Sequence, residues 1–410
     1  MKKTLLTVLM SSSAILLTAC GSGDDDWNIS GGEQIPVNNI QNPVVNTPAP
    51  YTDPNMSAIT SESLVMTYKM LGVNGQEVQA TALVFTPRTA APVGGWPIVV
   101  WAHGKTEMAD QCSLSRSVFD FNVRTMITQL LAAGYVVVAP DYEGLGEPSG
   151  KELHPFLNLK SESYAITDAV VAARNYLGSK VSKQWMAVGH SQGGHAALGA
   201  AQYAVRANLD YKGTVAVAPA SNLKTIFNTG QQLVANLPAK DQVSTLASLN
   251  TYAALITAGM QGQSSPPTYA QVFQSNAATI AAQAETVCAG PLGVDFGTKM
   301  GAAAATTNSL SGYLTQSNFM QVPAITTFLS TTSQPLSVKV TTPVKIYQGG
   351  KDTTVPANAT ADLVTDATKL GTNIDLKYEL VWDHTTAYST NLGNIVNDVK
   401  GMMPTTTPIP

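Results

Sequence analysis

Residues 189–193 read Gly-His-Ser-Gln-Gly and directly follow the apolar segment 185–188, Trp-Met-Ala-Val. The small residues of segment 194–207 then favour a helix that packs close to its neighbours. A strand, a sharp turn and a helix in this order present a serine hydroxyl above the edge of a sheet. A glycine-rich turn with an inert serine is the alternative interpretation. The stretch predicts an α/β fold with Ser191 at the end of a central strand.

Apolar segments on both sides of this stretch predict the rest of the sheet. Residues 62–71 and 76–85 flank a Gly-Val-Asn-Gly turn and are expected to pair antiparallel. Helical patterns occur at residues 126–133 and 163–178. Continuous apolar runs typical of parallel strands lie at residues 96–101 and 135–139, and further strands are expected at residues 185–188, 214–218, 344–347 and 376–381. Because strands and helices alternate, we expect a mainly parallel central sheet flanked by helices.

The alternation stops at residues 220–342, where no buried-strand pattern occurs. A structureless loop of this length is implausible inside a compact domain. We therefore expect a mostly helical cap there, inserted between two parts of one core, residues 58–219 and 343–402, with a Pro/Thr-rich tail at residues 403–410. Helical spacing is kept by Val243, Leu246, Leu249, Ala253 and Ile256. Candidates for the cap core or for the lining of a pocket are Phe227, Tyr313, Phe319, Met320 and Phe328.

A serine hydroxyl is a weak nucleophile and needs a base that an acid orients. Among the five histidines, His384 lies after the predicted cap and just beyond the last predicted strand. His190 and His195 flank the serine too closely to turn back onto its hydroxyl, and His103 precedes a turn at a strand end. His384 is therefore the candidate base.

The candidate acid is Asp352, which follows the predicted strand 344–347. Asp383 is the alternative, but a carboxylate adjacent in sequence to the base usually points away from its Nδ1. The chain order Ser191, Asp352, His384 is that of α/β-hydrolases and differs from the chymotrypsin and subtilisin orders.

The N-terminus predicts export. Two lysines precede a mostly apolar run at residues 5–17, which is shorter than the roughly 20 residues of a spanning helix and suits a signal peptide. Residues 17–20, Leu-Thr-Ala-Cys, resemble the lipobox of bacterial lipoproteins. We expect a lipoprotein signal peptide at residues 1–19, a lipidated Cys20 that anchors the protein to a membrane of the bacterial cell envelope, and a flexible tether at residues 20–57. An ordinary signal peptide with an incidental cysteine is the alternative.

Composition excludes one class of partner. Only 12% of the 410 residues are charged, the net charge is −4, and Lys and Arg form no run that would neutralise a phosphate backbone. Nucleic-acid partners are therefore excluded, and we expect a monomer.

Besides Cys20, the chain contains Cys112 and Cys288, which either pair as a disulfide in an oxidising compartment or stay buried thiols. Neither has the spacing of a zinc ligand, so no metal ion or cofactor is expected.

The core resembles an α/β-hydrolase of the secretory lipase family, the group that contains fungal lipase A and bacterial esterase relatives. The resemblance is carried by Trp-Ala-His-Gly at residues 101–104, by residues 139–146, 154–157 and 189–194, and by Tyr-Gln-Gly at residues 347–349 with Asp352 and Val355-Pro356. It implies ester hydrolysis, a helical cap over the site and no metal ion. It also supports the pairing of Cys112 with a cysteine of the cap. One departure is residues 103–107, His-Gly-Lys-Thr-Glu, where the family has a His-Gly-Thr-Thr-Gly-type loop.

Attack by Ser191 on an ester carbonyl creates an oxyanion that backbone N–H groups stabilise. The expected donors are the amide of Gln192 and an amide of Gly104 or Lys105. The leading hypothesis is a membrane-tethered serine esterase or lipase whose substrate is a small-molecule or lipid ester. The same triad acting on amide or polyester bonds, and a non-catalytic lipoprotein that binds hydrophobic ligands, are the alternatives.

Overall fold

A nine-stranded sheet forms the centre of the protein in a computed structural model, which describes residues 34–105, 112–146 and 152–405. Its strands are β1 (Ala49–Pro50), β2 (Glu62–Leu71), β3 (Glu77–Thr86), β4 (Trp96–Ala102), β5 (Val136–Pro140), β6 (Val181–His190), β7 (Asp210–Val217), β8 (Val344–Gly349) and β9 (Ile374–Glu379). They lie in the order β1-β2-β3-β5-β4-β6-β7-β8-β9. The pairs β1–β2, β2–β3 and β3–β5 are antiparallel, and the other neighbouring pairs are parallel. The predicted mainly parallel sheet is confirmed.

Helices cover the sheet. They are α1 (Pro54–Ser57), α2 (Phe121–Ala132), α3 (Leu159–Leu177), α4 (Gln192–Tyr203), α5 (Leu223–Val234), α6 (Ala239–Gly259), α7 (Tyr269–Val272), α8 (Ser275–Ala281), α9 (Ala289–Thr307), α10 (Pro323–Thr327), α11 (Ala357–Lys369), α12 (Thr386–Ser389) and α13 (Leu392–Met402). Helices α3 and α4 pack on each other and on β6, while α2 packs on α13 and β5. Every residue of β4 and β5 is buried, which explains their continuous apolar sequences. Across the three described ranges, no helix is both long and apolar enough to cross a membrane.

Residues 35–57 belong to the folded unit, so the flexible tether predicted for residues 20–57 is wrong over this part. Strand β1 pairs with β2, and Met56 is fully buried. The amide of Asn38 donates to Asp168 at 2.8 Å. Arg206, which is paired with the same carboxylate at 2.8 Å, also donates to the carbonyl of Pro36. Isolated apolar side chains and backbone groups are bound here by distant residues, which leaves no periodic pattern in the sequence.

Four N- and C-terminal predictions fall wholly or partly outside the described residues. The signal peptide at residues 1–19, the lipidated Cys20 and residues 20–33 of the tether lie before residue 34, the first residue that the structure describes. Of the predicted tail, residues 406–410 are also outside it. These assignments stay predictions.

The segment between β7 and β8 is helical, and we refer to α5–α10 as the cap helices. Their apolar side chains form a hydrophobic cluster together with residues of the core such as Phe156 and Val355. In this cluster Phe227, Phe319 and Phe328 are buried, while Tyr313 and Met320 pack against its surface. A cavity of about 300 Å³ also lies among these helices. Its lining includes Phe227, Leu246, Leu249, Asn250 and Leu314. Most of the apolar residues singled out from the sequence therefore serve the packing of the cap helices.

A disulfide joins Cys112 to Cys288, with their Cα atoms 6.0 Å apart. Cys288 is the N-cap residue of α9, and Cys112 precedes a short 3₁₀ turn at Leu114–Arg116. The bond links positions separated by 176 residues and attaches the cap helices to the core of the protein.

Replacing Cys112 and Cys288 together by serine is expected to destabilise the protein by about 2–4 kcal/mol, because the bond restricts a long segment of the unfolded chain. Calorimetric melting curves measure the effect. Dithiothreitol should lower the Tm of the wild type towards that of the double variant and leave the variant unchanged. A double variant as stable as the oxidised wild type would contradict this role.

Candidate active site

Ser191 lies at the turn between β6 and α4, with a backbone φ of 60°. Its N–H donates to the carbonyl of Val217 on β7 at 2.9 Å. A side chain at Gly189 would overlap the carbonyl of Gly193, and one at Gly193 would overlap the carbonyl of Ala102 on β4. Since the turn is pressed against the neighbouring backbone, glycine is required on both sides of the serine. The strained turn fixes Ser191 at the carboxyl end of β6.

The side chains of Ser191, His384 and Asp352 form one hydrogen-bonded series. His384 Nε2 lies 2.9 Å from Ser191 Oγ, and His384 Nδ1 lies 2.8 Å from Asp352 Oδ2. The three residues follow β6, β9 and β8, and the parallel strands from β6 to β9 are neighbours in the sheet. Parallel strands end at the same edge of a sheet, so residues far apart in sequence meet there. Ser191 is only 6% exposed and Asp352 only 4%.

The carboxylate of Asp352 is oriented by its own loop. Its Oδ1 accepts from the backbone N–H groups of Thr354 and Val355 at 2.9 and 2.8 Å. The Gln348 amide contacts the Val355 carbonyl at 3.0 Å and accepts from the Thr360 hydroxyl at 2.6 Å. Because Oδ1 is held in this way, Oδ2 remains directed at His384.

Asp383, the alternative acid, has a different structural role. Its Oδ1 accepts from the backbone N–H groups of Thr385 and Thr386 at 3.0 and 2.7 Å. These bonds, led by that of Thr386, lower the pKa of Asp383. Its carboxylate therefore stabilises the turn after His384, while Asp352 contacts His384 Nδ1.

The residues expected to donate to an oxyanion lie next to the serine. Gln192 is the first residue of α4, where backbone N–H groups lack partners within the helix. A Cβ placed on Gly104 would be 3.7 Å from Ser191 Cβ, so the loop after β4 runs beside the nucleophile. Lys105 follows directly, and residues 106–111 lie outside the described part of the chain. The structure thus brings Gln192, Gly104 and Ser191 to one place.

A buried polar network beneath Ser191 was missed by the sequence analysis. Glu162 on α3 is fully buried, and its carboxylate contacts His195 Nδ1 at 2.6 Å and the Gln192 amide at 2.8 Å. His195 Nε2 lies 2.9 Å from the carbonyl of Ser333, which follows the cap helices. The two nitrogens of this ring thus face the Glu162 carboxyl group and the Ser333 carbonyl, so both of its hydrogen-bonding positions are occupied. The single signal in the sequence was a histidine among the small residues of α4.

His154 completes this network as a neutral ring. Its Nδ1 donates to the carbonyl of Glu143 at 2.9 Å, so Nε2 is free to accept from the Gln192 amide at 2.9 Å. Burial lowers the pKa of His154 to about 4, which agrees with this arrangement. Gln192 is therefore fixed through both amide protons, one to Glu162 and one to His154.

Tyr252 brings a cap helix to the serine. This buried residue of α6 packs against Phe156 with 5.9 Å between ring centroids, and the Lys105 ammonium lies 5.1 Å from the centre of its ring. Burial raises the pKa of Tyr252 to about 12, and the nearby Ser191 side chain acts in the opposite direction. Nothing in the helical pattern of residues 243–256 distinguished this tyrosine in advance.

Within the described ranges, His, Cys, Asp and Glu form no group of three or more that could hold a metal ion.

Solved structures share this architecture. Lipase A from Candida antarctica in its closed state is 19% identical, with a TM-score of 0.66, over 90% of this chain and 86% of the lipase. A ligand-bound form of the rice cell wall degrading esterase from Xanthomonas oryzae is 19% identical, with a TM-score of 0.64, over 88% of this chain and 98% of the esterase. At such identities the similarity shows a common fold, that of the α/β-hydrolases. No curated protein sequence matches the chain.

Family membership rests on the sequence itself. The sequence model of the secretory lipase family matches residues 114–400, which is more than half of the chain. The matched segment contains the serine turn and the loops of Asp352 and His384. The chain therefore belongs to the secretory lipase family and is an exported enzyme that hydrolyses esters.

Proposed function

We propose that the protein hydrolyses carboxylic esters through an acyl-enzyme formed on Ser191. The observation that carries the proposal is the hydrogen-bonded series from Asp352 Oδ2 through His384 to Ser191 Oγ, with distances of 2.8 and 2.9 Å. A serine, a histidine and an aspartate in this geometry are the groups that acyl transfer requires. The position of Ser191 at a strained turn after β6 adds support.

The mechanism follows from these contacts. As Ser191 Oγ attacks the ester carbonyl, its proton passes to His384 Nε2 and the carbonyl π electrons move to oxygen. Asp352 holds the imidazole in the required tautomer and stabilises the imidazolium. When the intermediate collapses, the C–O bond to the alcohol breaks and His384 gives its proton to the leaving oxygen. Water then attacks the acyl-enzyme with His384 as base, which releases the acid and restores Ser191.

The oxyanion is stabilised by backbone N–H groups in this proposal. The Gln192 amide at the start of α4 is one donor, and an amide of Gly104 or Lys105 is the other. Support comes from the proximity of Gly104 to Ser191 and from the two contacts that fix the Gln192 side chain. The positive end of α4 favours negative charge at this position.

The cap helices cover this site, and we propose that the acyl part of the substrate is bound against them. Tyr252 lies at Ser191, and Phe156 packs beneath the tyrosine ring. Buried aromatic side chains around a reacting serine favour an apolar acyl group over a charged one.

The Ser191→Ala variant is expected to lose at least about 10⁴-fold in kcat on p-nitrophenyl esters, because the nucleophile is absent. A fluorophosphonate probe should label the wild type and leave this variant unlabelled. Since alanine also fits a small buried position, the two proteins should have similar melting curves. Labelling or ester turnover by the variant at the wild-type rate would refute the proposed nucleophile.

Two aspartates provide a matched comparison for the acid. Asp352→Asn is expected to lower kcat by about 10⁴-fold, since the amide no longer stabilises the imidazolium or its tautomer. Asp383→Asn should leave kcat close to that of the wild type, with at most a small loss of stability through the weakened turn. Steady-state kinetics at pH 8 with both variants tests the assignment, and a larger loss of kcat in Asp383→Asn would reverse it.

We also propose that residues 1–19 are removed and that Cys20 is acylated, which holds the exported enzyme on a membrane of the cell envelope. Support comes from the apolar run that ends in Leu-Thr-Ala-Cys. Each buried methylene of an acyl chain contributes about 0.8 kcal/mol to membrane binding.

The Cys20→Ala variant is therefore expected to move from the membrane fraction to the soluble fraction of a bacterial host. Esterase activity in each fraction and incorporation of labelled palmitate report the change. Ser191→Ala, followed by immunodetection, should stay with the membranes and serves as the control. Recovery of the wild-type protein in the soluble fraction without label would contradict the anchor.

A further inference from the structure

His190 precedes Ser191 in the sequence, yet its side chain lies against His384. His190 Nε2 is 2.9 Å from the main-chain carbonyl of His384, 194 positions away. The two ring centroids are 4.8 Å apart and the planes are inclined by 41°. The residue next to the proposed nucleophile therefore contacts the backbone of the proposed base.

The direction of this hydrogen bond is fixed by chemistry. A carbonyl oxygen only accepts, so His190 Nε2 carries a proton and donates it. Burial, and to a smaller extent the charge that His384 would carry, together lower the pKa of His190 to about 3. Residue 190 thus presents a neutral ring whose proton is on Nε2, and it adds no positive charge beside His384.

An aromatic column fixes the position of the His190 ring. Tyr388 on α12 stacks on His190 with a centroid distance of 5.1 Å and an angle of 12°. Trp101 of β4 stacks in turn on Tyr388, with a centroid distance of 5.4 Å and an angle of 26°. The Tyr388 hydroxyl donates to the Asn122 carbonyl at 3.2 Å. Because Trp101 and Tyr388 are almost fully buried, the column transfers the rigidity of the central sheet to His190.

The loop that carries His384 needs such support. Leu380 and Val381 are 70% and 68% exposed, so packing alone does not hold the chain between β9 and α12. The carbonyl of Trp382 accepts from the backbone N–H of Lys351 at 2.9 Å. His190 supplies the second attachment, at the carbonyl of His384 itself.

We infer that His190 is a positioning residue: it holds the main chain of His384 so that one imidazole reaches both Asp352 and Ser191. This inference rests on the proposed function, since it assigns a role within the same site. A displacement of about 1 Å in a reacting group is enough to reduce turnover by roughly 10²-fold. The hydrogen bond to the His384 carbonyl thus contributes to kcat and has little effect on substrate affinity.

Two variants of the full-length protein separate the hydrogen bond from the stacking. His190→Phe keeps an aromatic ring against Tyr388 and removes the donor, and it is expected to lower kcat by about 10–100-fold with KM changed by less than about twofold. His190→Gln keeps an N–H donor at the corresponding distance and is expected to restore most of the lost kcat. Wild-type kcat in the phenylalanine variant, or equal losses in both variants, would overturn the inference.

A measurement on the wild type keeps the inference testable if the phenylalanine variant does not fold. In nitrogen-15 NMR spectra of histidine-labelled protein, the His190 signals, assigned by their loss in His190→Gln, should show a neutral ring protonated on Nε2. A ring protonated on Nδ1 alone would overturn the inference. Failure of the proposed function is recognised separately, because Ser191→Ala would then keep its activity.

Discussion

The arrangement of the whole site depends on the compressed turn at Ser191. Its positive φ is maintained because Gly193 lies against the carbonyl of Ala102 and the Ser191 N–H is bound to Val217. Strands β4 and β7 thus hold the serine from both sides of β6. Strands β8 and β9 follow β7 in the sheet, and Asp352 and His384 lie in the loops after these two strands. One local constraint therefore sets the reference point to which the loops of Asp352 and His384, the proposed acid and base, are aligned.

A buried polar network next to this turn is consistent with that dependence. Glu162 and His195 are fully buried, and burying a polar group is unfavourable unless its hydrogen bonds are in place. Here Glu162 also accepts from the Leu157 N–H and the Gln192 amide, while His195 contacts the Ser333 carbonyl. Since each group has its partners, the network specifies one arrangement of α3, α4 and the segment after the cap helices. The strain at Ser191 is maintained by this surrounding structure.

Sequence patterns predicted the sheet and singled out Ser191, Asp352 and His384 as candidate site residues. Both predictions depend on information that is local in the sequence. A buried parallel strand is a continuous apolar run, and a strand end is visible where that run stops. The packing of residues 35–57 was not predictable in this way, since Asn38 is bound by Asp168, 130 positions away, and the burial of Met56 follows no periodic pattern. The same holds for Tyr252, whose approach to Ser191 depends on how α6 packs on the core. Long-range contacts of single side chains leave no periodic signal.

The cap helices are attached to the core at points close to the reacting groups. A Cβ on Gly259, the last residue of α6, would lie 2.6 Å from the carbonyl of His154, so α6 packs directly on the segment that orients Gln192. His195 contacts Ser333 beyond the far end of the cap helices, and the disulfide of Cys288 fixes α9. These three attachments join the cap helices to the core. The position of Tyr252 near Ser191 therefore depends on some of the same contacts that shape the serine turn. The proposed reacting groups and the part of α6 that lies next to them therefore belong to one packed unit.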